Sequence, residues 1–173
     1  FHPEANQVEY VLCPSRLSEE IQQKAIQVAQ NVSSALQHVG LLAVELFLTE
    51  EGEILINKVA PGVHNSGNLT IETATTDQFE QHVRAVLDLP LGSTAFTTSG
   101  VMVNLVGKEG HQGQVRYENM EEILKFEGVT PHIYGKKETR PFRKMGHVTI
   151  VNKSLEQARE MAQKVKQLIS VIT

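Results

Sequence analysis

Three groups of residues have the types and spacing to do chemistry. Glu45 is the one carboxylate in 41–48, LLAVELFL, a stretch otherwise apolar on both faces. A carboxylate in the middle of such a strand must be paired, protonated or bound to a metal, and an ordinary ion pair or hydrogen-bonded core group satisfies that need as well as a metal does. Just past the next strand lies Asn57-Lys58-Val59-Ala60-Pro61-Gly62-Val63-His64-Asn65-Ser66-Gly67. Small residues there suit close backbone approach to an anionic ligand, and His64, Asn65 and Ser66 offer three hydrogen-bonding side chains. The same composition also makes a plain polar turn. The third group is the basic stretch 134–147, with five Lys or Arg among residues 136–144. Such a local cationic loop suits a phosphate or a phosphorylated sugar, and equally a solvated surface loop. His132 and His147 fall at expected strand ends and read as structural. No G-x-x-x-x-G-K-[ST] phosphate loop, G-x-S-x-G elbow or zinc-spaced Cys/His cluster is present.

These groups need elements to position them. Residues 7–13, QVEYVLC, read as a strand ending at Pro14. Ser18 caps a helix whose apolar stripe is Ile21, Ala25, Val28, Val32, Ala35 and Leu36, with Gly40 as its stop. Residues 41–48 and 54–60 form a hairpin about the loop 50–53. A four-residue loop puts Glu45 directly opposite Lys58. A loop at 61–68 and a helix at 76–87 follow, and the Thr/Ser-rich stretch 93–99 marks a join between domains. Beyond it the pattern predicts strands at 100–107, 129–134 and 146–152, a short helix near 119–126, and a last helix opened by a Ser154/Gln157 capping box.

The 173 residues suit one ordinary domain or one and a half small ones. With 40% hydrophobic and 21% charged residues, the composition excludes disordered, collagenous, coiled-coil and disulfide-scaffold classes. A net charge of −4 leaves no global basic field for nucleic acid or an anionic membrane, which points to small-molecule or protein partners. No apolar run is long enough to span a bilayer. A single cysteine, Cys13, cannot form an internal disulfide and fits a reducing cytoplasm. The start, Phe1-His2-Pro3-Glu4, lacks an initiator Met and a signal peptide, and reads as cut from a longer chain.

The segments VELF, INKVAPGVHNSGNLTIE and FEQHVRAVLDLPLG, followed by GVMVNLVG and HIYGKKETRPFRKMGHVTI, run in this order along the chain. Together they resemble the C-terminal half of the 5-(carboxyamino)imidazole ribonucleotide synthase family, ATP-grasp ligases of purine biosynthesis. The resemblance implies an α+β fold: the C-terminal lobe of an ATP-grasp domain over 1–94, an antiparallel sheet with helices, then a small β-rich domain with a terminal helix over 95–173. It implies ATP-dependent carboxylation of 5-aminoimidazole ribonucleotide with bicarbonate, through carboxyphosphate, with ATP and Mg2+ as cofactors. It further implies a cytoplasmic enzyme, homodimeric at full length, with no nucleic-acid or membrane partner.

Carried over by position, the resemblance makes Glu45 a magnesium ligand and, with Asn57, part of the ATP site. His64 and Asn65 become catalytic, Asn65 and Ser66 contact substrate, and Lys136 and Arg143 hold the ribonucleotide. Two positions depart from the family pattern Asn-Glu-x-Ala-Pro-Arg: Lys58 stands in place of the second metal-binding Glu, and Gly62 in place of the Arg. A milder departure is Asn68 where the family usually has His. These changes, with the absence of the family's upstream half, raise a second reading: a catalytically impaired fragment or a non-catalytic ribonucleotide-binding or assembly module.

Overall fold

Local signals place most elements where the residues demand them. The computed structural model describes residues 7–173. In chain order these form β1 (Tyr10–Cys13), α1 (Glu19–Leu36), β2 (Leu42–Leu48), β3 (Ile54–Pro61), a 3-10 turn (Asn65–Leu69), α2 (Thr70–Thr73), α3 (Gln78–Val86), β4 (Ser99–Val106), β5 (Gly113–Gln114), β6 (Arg116–Glu118), α4 (Met120–Ile123), β7 (Val129–Ile133), β8 (Glu138–Thr139), β9 (Lys144–Asn152), α5 (Leu155–Leu168) and β10 (Ser170–Ile172). Every pairing between these strands is antiparallel, so the α+β class holds. The chain divides into two compact units: Ser15–Phe96, and the residues up to Pro14 together with Thr97–Thr173.

In the Ser15–Phe96 unit, Ser18 Oγ accepts the Ile21 N–H at 3.4 Å and opens α1. The helix ends at Gln37, whose left-handed conformation (φ 49°) lets residues 37 and 38 return their N–H groups to Ser34 and Ser33. Gly40, the expected stop, lies beyond the end; it has φ 106°, and a Cβ there would sit 2.9 Å from the His82 ring. α1 packs on the β2–β3 hairpin. That hairpin turns through three residues rather than four: Gly52 (φ 83°) donates its N–H to Thr49 O at 3.1 Å, and Thr49 donates to Glu53 O at 3.0 Å. A bulge after Glu45 then leaves Asn57 as the extra residue of β3, which shifts the register back so that Glu45 faces Lys58. Asp77 caps α3, its Oδ1 accepting the N–H groups of Phe79 (2.8 Å) and Glu80 (3.0 Å).

The other unit is a four-stranded sheet in the order β1-β4-β9-β7. On one face Val101, Val103, Leu105, Val148 and Ile150 pack against Ala158, Ala162 and Val165 of α5 to make the main core. The alternate positions Met102, Asn104, His147 and Thr149 are buried as well, so both faces of the sheet are covered at these residues. Tyr10–Cys13 pairs with β4 in this sheet, so the unit draws on both ends of the chain. Ser154 Oγ accepts the Gln157 N–H as the capping box requires, but the Ser154 N–H goes to Asn152 Oδ1 at 2.9 Å. The expected basic loop is partly structured: β8 pairs with β5, and Phe142 (φ 61°) donates its N–H to Gly107 O at 2.8 Å. Among the described residues no helix is long and apolar enough to cross a membrane.

Candidate functional site

The β2–β3 register brings Glu45 to the middle of a ring of donors. Lys58 Nζ lies 3.1 Å from Glu45 Oε1, and His64 Nε2 lies 3.2 Å from the same oxygen. Asn57, turned inward by the bulge, donates from Nδ2 to Oε2 at 3.2 Å. The carboxylate is half-buried rather than enclosed in a core, because β2 has no fully buried residue and Phe47 and Leu48 are exposed. Lys58 is more open still, its side chain 57% exposed, so the pair contributes at most about 1 kcal/mol to stability.

His64 sits where β3 gives way to the 3-10 turn, and its ring orientation is held from both sides. Its Nδ1 accepts the Ser66 backbone N–H at 3.4 Å and lies 2.8 Å from Ser66 Oγ. An Nδ1 that accepts leaves the proton of the neutral ring on Nε2, where it points to Glu45. Carboxylate, imidazole and hydroxyl therefore form one hydrogen-bonded line. Asn65 follows His64 as the first residue of the turn and is half-buried. The chain reaches this turn through Gly62, which has φ 100° and donates its N–H to Leu41 O at 2.7 Å. A side chain at position 62 has room but adopts that backbone conformation only with strain.

Lys136 and Arg143 belong to the other unit. Lys136 Nζ donates to Lys144 O at 2.5 Å and lies 5.7 Å from the Tyr134 ring centre. Burial, and secondly the nearby Arg143 charge, lower its pKa from the ordinary lysine value. Arg143 donates one guanidinium N–H to Glu138 O at 2.9 Å. Behind this loop Tyr134 Oη and His147 Nδ1 are 2.9 Å apart, and the His147 ring stacks on His132 at 4.5 Å between centres. These two histidines face each other across β7 and β9 rather than lying at strand ends. Burial, then the His132 charge, push the His147 pKa down to about 4.

Glu45, Asn57, Lys58, His64 and Ser66 are thus one cluster, and Lys136 with Arg143 a second. The groups around Glu45 do not fit a magnesium ion. Lys58, His64 and Asn57 all present N–H donors to its oxygens, and among the described residues no group of three or more His, Cys, Asp or Glu could hold a metal. The residue that sequence reasoning missed is Gln78. It opens α3, is 4% exposed, and meets the backbone of His64.

Comparison with known proteins finds two family models, one after the other along the chain. Residues 2–79 match the ATP-grasp domain, and residues 100–161 match the phosphoribosylaminoimidazole carboxylase C-terminal domain. The chain is 47% identical over 140 residues to the N5-carboxyaminoimidazole ribonucleotide synthase of Bacillus subtilis, covering 81% of this chain and 35% of that protein. It is 39% identical over 152 residues to the phosphoribosylaminoimidazole carboxylase of Saccharomyces cerevisiae, covering 85% of this chain and 26% of that one. The chain therefore spans between about a quarter and a third of the length of these curated relatives. Among solved structures, the N5-carboxyaminoimidazole ribonucleotide synthetase of Thermotoga maritima aligns with a TM-score of 0.92 and 48% identity, over 95% of this chain and 46% of that one. The Aspergillus clavatus synthase in complex with ADP and 5-aminoimidazole ribonucleotide aligns with a TM-score of 0.84 and 31% identity, over 94% of this chain and 44% of that one.

Proposed function

We propose that this chain, which belongs to the N5-carboxyaminoimidazole ribonucleotide synthase family of ATP-grasp proteins, forms part of an ATP-dependent ligase that carboxylates 5-aminoimidazole ribonucleotide. The observation that carries the reading is the line Glu45–His64–Ser66 within a chain similar to a synthase solved with ADP and that ribonucleotide. In the proposed reaction ATP phosphorylates bicarbonate to carboxyphosphate, with release of ADP. The exocyclic amine of the ribonucleotide then takes the carboxyl group, phosphate leaves, and the amine loses a proton.

The cluster is arranged to take that proton. Ser66 Oγ faces the Nδ1 lone pair, so a proton passes from the amine through the hydroxyl to the ring while Glu45 stabilises the resulting imidazolium at Nε2. Asn65, next in the chain, supplies an amide toward the substrate. Lys136 and Arg143 are suited to the ribonucleotide phosphate, Arg143 by its planar fork and Lys136 as a point charge. Lys58 provides at Glu45 the positive charge that a magnesium ion would otherwise bring, so no step here is assigned to a metal. A cytoplasmic, homodimeric full-length enzyme accompanies this reading on the family resemblance.

The test is ADP release that depends on both bicarbonate and the ribonucleotide, measured on the chain joined to the further residues that its longer relatives carry. His64→Asn should abolish that release even at saturating ribonucleotide. Binding with no turnover in the unsubstituted protein would establish the non-catalytic module instead.

A further inference from the structure

The Glu45–His64 contact joins a strand to a loop, and a residue on α3 braces the backbone of that loop. Gln78 Oε1 accepts the His64 N–H at 2.9 Å, and Gln78 Nε2 donates to His64 O at 2.9 Å. One side-chain amide thus pairs with both backbone groups of one residue, as a neighbouring strand would in an antiparallel pair. The second Nε2 hydrogen goes to Asn68 Oδ1 at 2.7 Å, tying the far end of the 3-10 turn to the same amide. Gln78 is itself anchored: its backbone N–H donates to Thr70 Oγ1 at 2.9 Å, and that hydroxyl donates to Gly67 O at 2.6 Å.

Two further observations point the same way. A Cβ on Gly67 would run into the Gln78 amide, so the glycine leaves the space that the amide fills. One turn along α3, His82 Nδ1 accepts the N–H of Leu41 at 3.0 Å, at the start of the strand that carries Glu45. α3 therefore grips both sides of the Glu45–His64 contact.

We propose that Gln78 is the positioning residue of this site, setting the His64 ring in the orientation that aims Nε2–H at Glu45 and Nδ1 at Ser66. The proposal rests on the reading of His64 given above for its functional consequence, but not for its structural one. An amide is needed because the pocket presents one donor and two acceptors. A carboxylate at position 78 would set oxygen against His64 O or Asn68 Oδ1, and only its protonated form could return a donor.

The experiment reads the His64 tautomer by 15N NMR in this chain, and ribonucleotide affinity by calorimetry in the joined protein. Unsubstituted protein should show the Nε2–H form. Gln78→Ala, and Gln78→Met should the cavity unfold the first, should give mixed tautomers and about a tenfold loss of affinity. Gln78→Glu should behave likewise at neutral pH. Gly67→Ala should reproduce the defect, and the double variant Gly67→Ala with Gln78→Ala should be no worse than Gln78→Ala, because the clash is then relieved. An unchanged tautomer in Gln78→Ala and Gln78→Met, with only a lower melting temperature, overturns the proposal. A shifted tautomer with unchanged affinity upholds the positioning role and refutes the substrate reading of His64.

Discussion

Acid should weaken the β4–β9 unit through His147 in particular. This ring is 2% exposed, stacked on His132 and bonded to Tyr134, and its pKa falls to about 4 from the ordinary 6.5. The folded state therefore resists a proton that the unfolded chain accepts. Between pH 6.5 and 4 the unfolded state binds more protons, so stability rises with pH across that window and is lost as pH falls through it. The full difference of about 2.5 pKa units corresponds to about 3 kcal/mol, of which roughly 2–2.5 kcal/mol is lost between pH 7 and pH 4.5. All three tyrosines, Tyr10, Tyr117 and Tyr134, lie in this unit and there is no tryptophan, so tyrosine fluorescence during urea unfolding reports on it selectively. Carboxylates titrate over the same range, so the informative quantity is the stability gap between unsubstituted protein and His147→Gln. That gap should shrink by roughly 2–2.5 kcal/mol on going from pH 7 to pH 4.5, since the variant has no imidazole to protonate. A constant gap, or a His147 ring that titrates near 6.5 by NMR, would refute the reasoning.

Other substitutions separate the charge balance at Glu45 from the proposed grip on the ribonucleotide. Lys58→Ala should change stability by less than about 1 kcal/mol in chemical unfolding, because the lysine is largely exposed, while Lys58→Glu should create calorimetrically detectable Mg2+ binding that the unsubstituted chain lacks. Equal Mg2+ affinity in both proteins would contradict the donor ring described around Glu45. Gly62→Arg should lower stability by about 1–3 kcal/mol in the same unfolding assay, because φ 100° strains any residue with a Cβ. Lys136→Ala and Arg143→Ala should each weaken ribonucleotide binding by about 1.5–3 kcal/mol, the worth of a charge-assisted hydrogen bond, and unchanged affinity in both would remove them from the site. Cys13 is buried and its thiol pKa is pushed up to about 11, so a thiol reagent at pH 8 should label the folded chain far more slowly than the urea-unfolded one.

What could be read from the sequence was whatever repeats locally. The α5 stripe, the strands β4 and β9, and the Ser18 and Ser154 caps all appear where period and capping chemistry put them. The strands β5, β6, β8 and β10 have two or three residues each, too few to show a period, and exist only because a distant segment pairs with them. β1 was legible as a strand, but its partner was not: Tyr10 pairs with Val103, and no local pattern encodes a contact across that separation. Gln78 was illegible for a similar reason. A glutamine in the first turn of an amphipathic helix reads as solvent-facing, and its burial follows from where the 3-10 turn folds.

The Glu45–Lys58 pair shows how a correct expectation can rest on two compensating differences. A four-residue loop at 50–53 was the ground for placing these residues opposite one another. The turn in fact has three residues, which alone would have put Asn57 opposite Glu45 and sent the Lys58 side chain to the other face. The bulge restores the register and also swings Asn57 into reach of the carboxylate. Turn and bulge together fix which position faces Glu45, and the side chain at that position decides the chemistry. An ammonium there completes an ion pair with the carboxylate. A second carboxylate on the same backbone would make two like charges face each other, and such a pair is relieved by a proton or a cation. The backbone of this site is therefore compatible with either chemistry, and Lys58 commits this chain to the first.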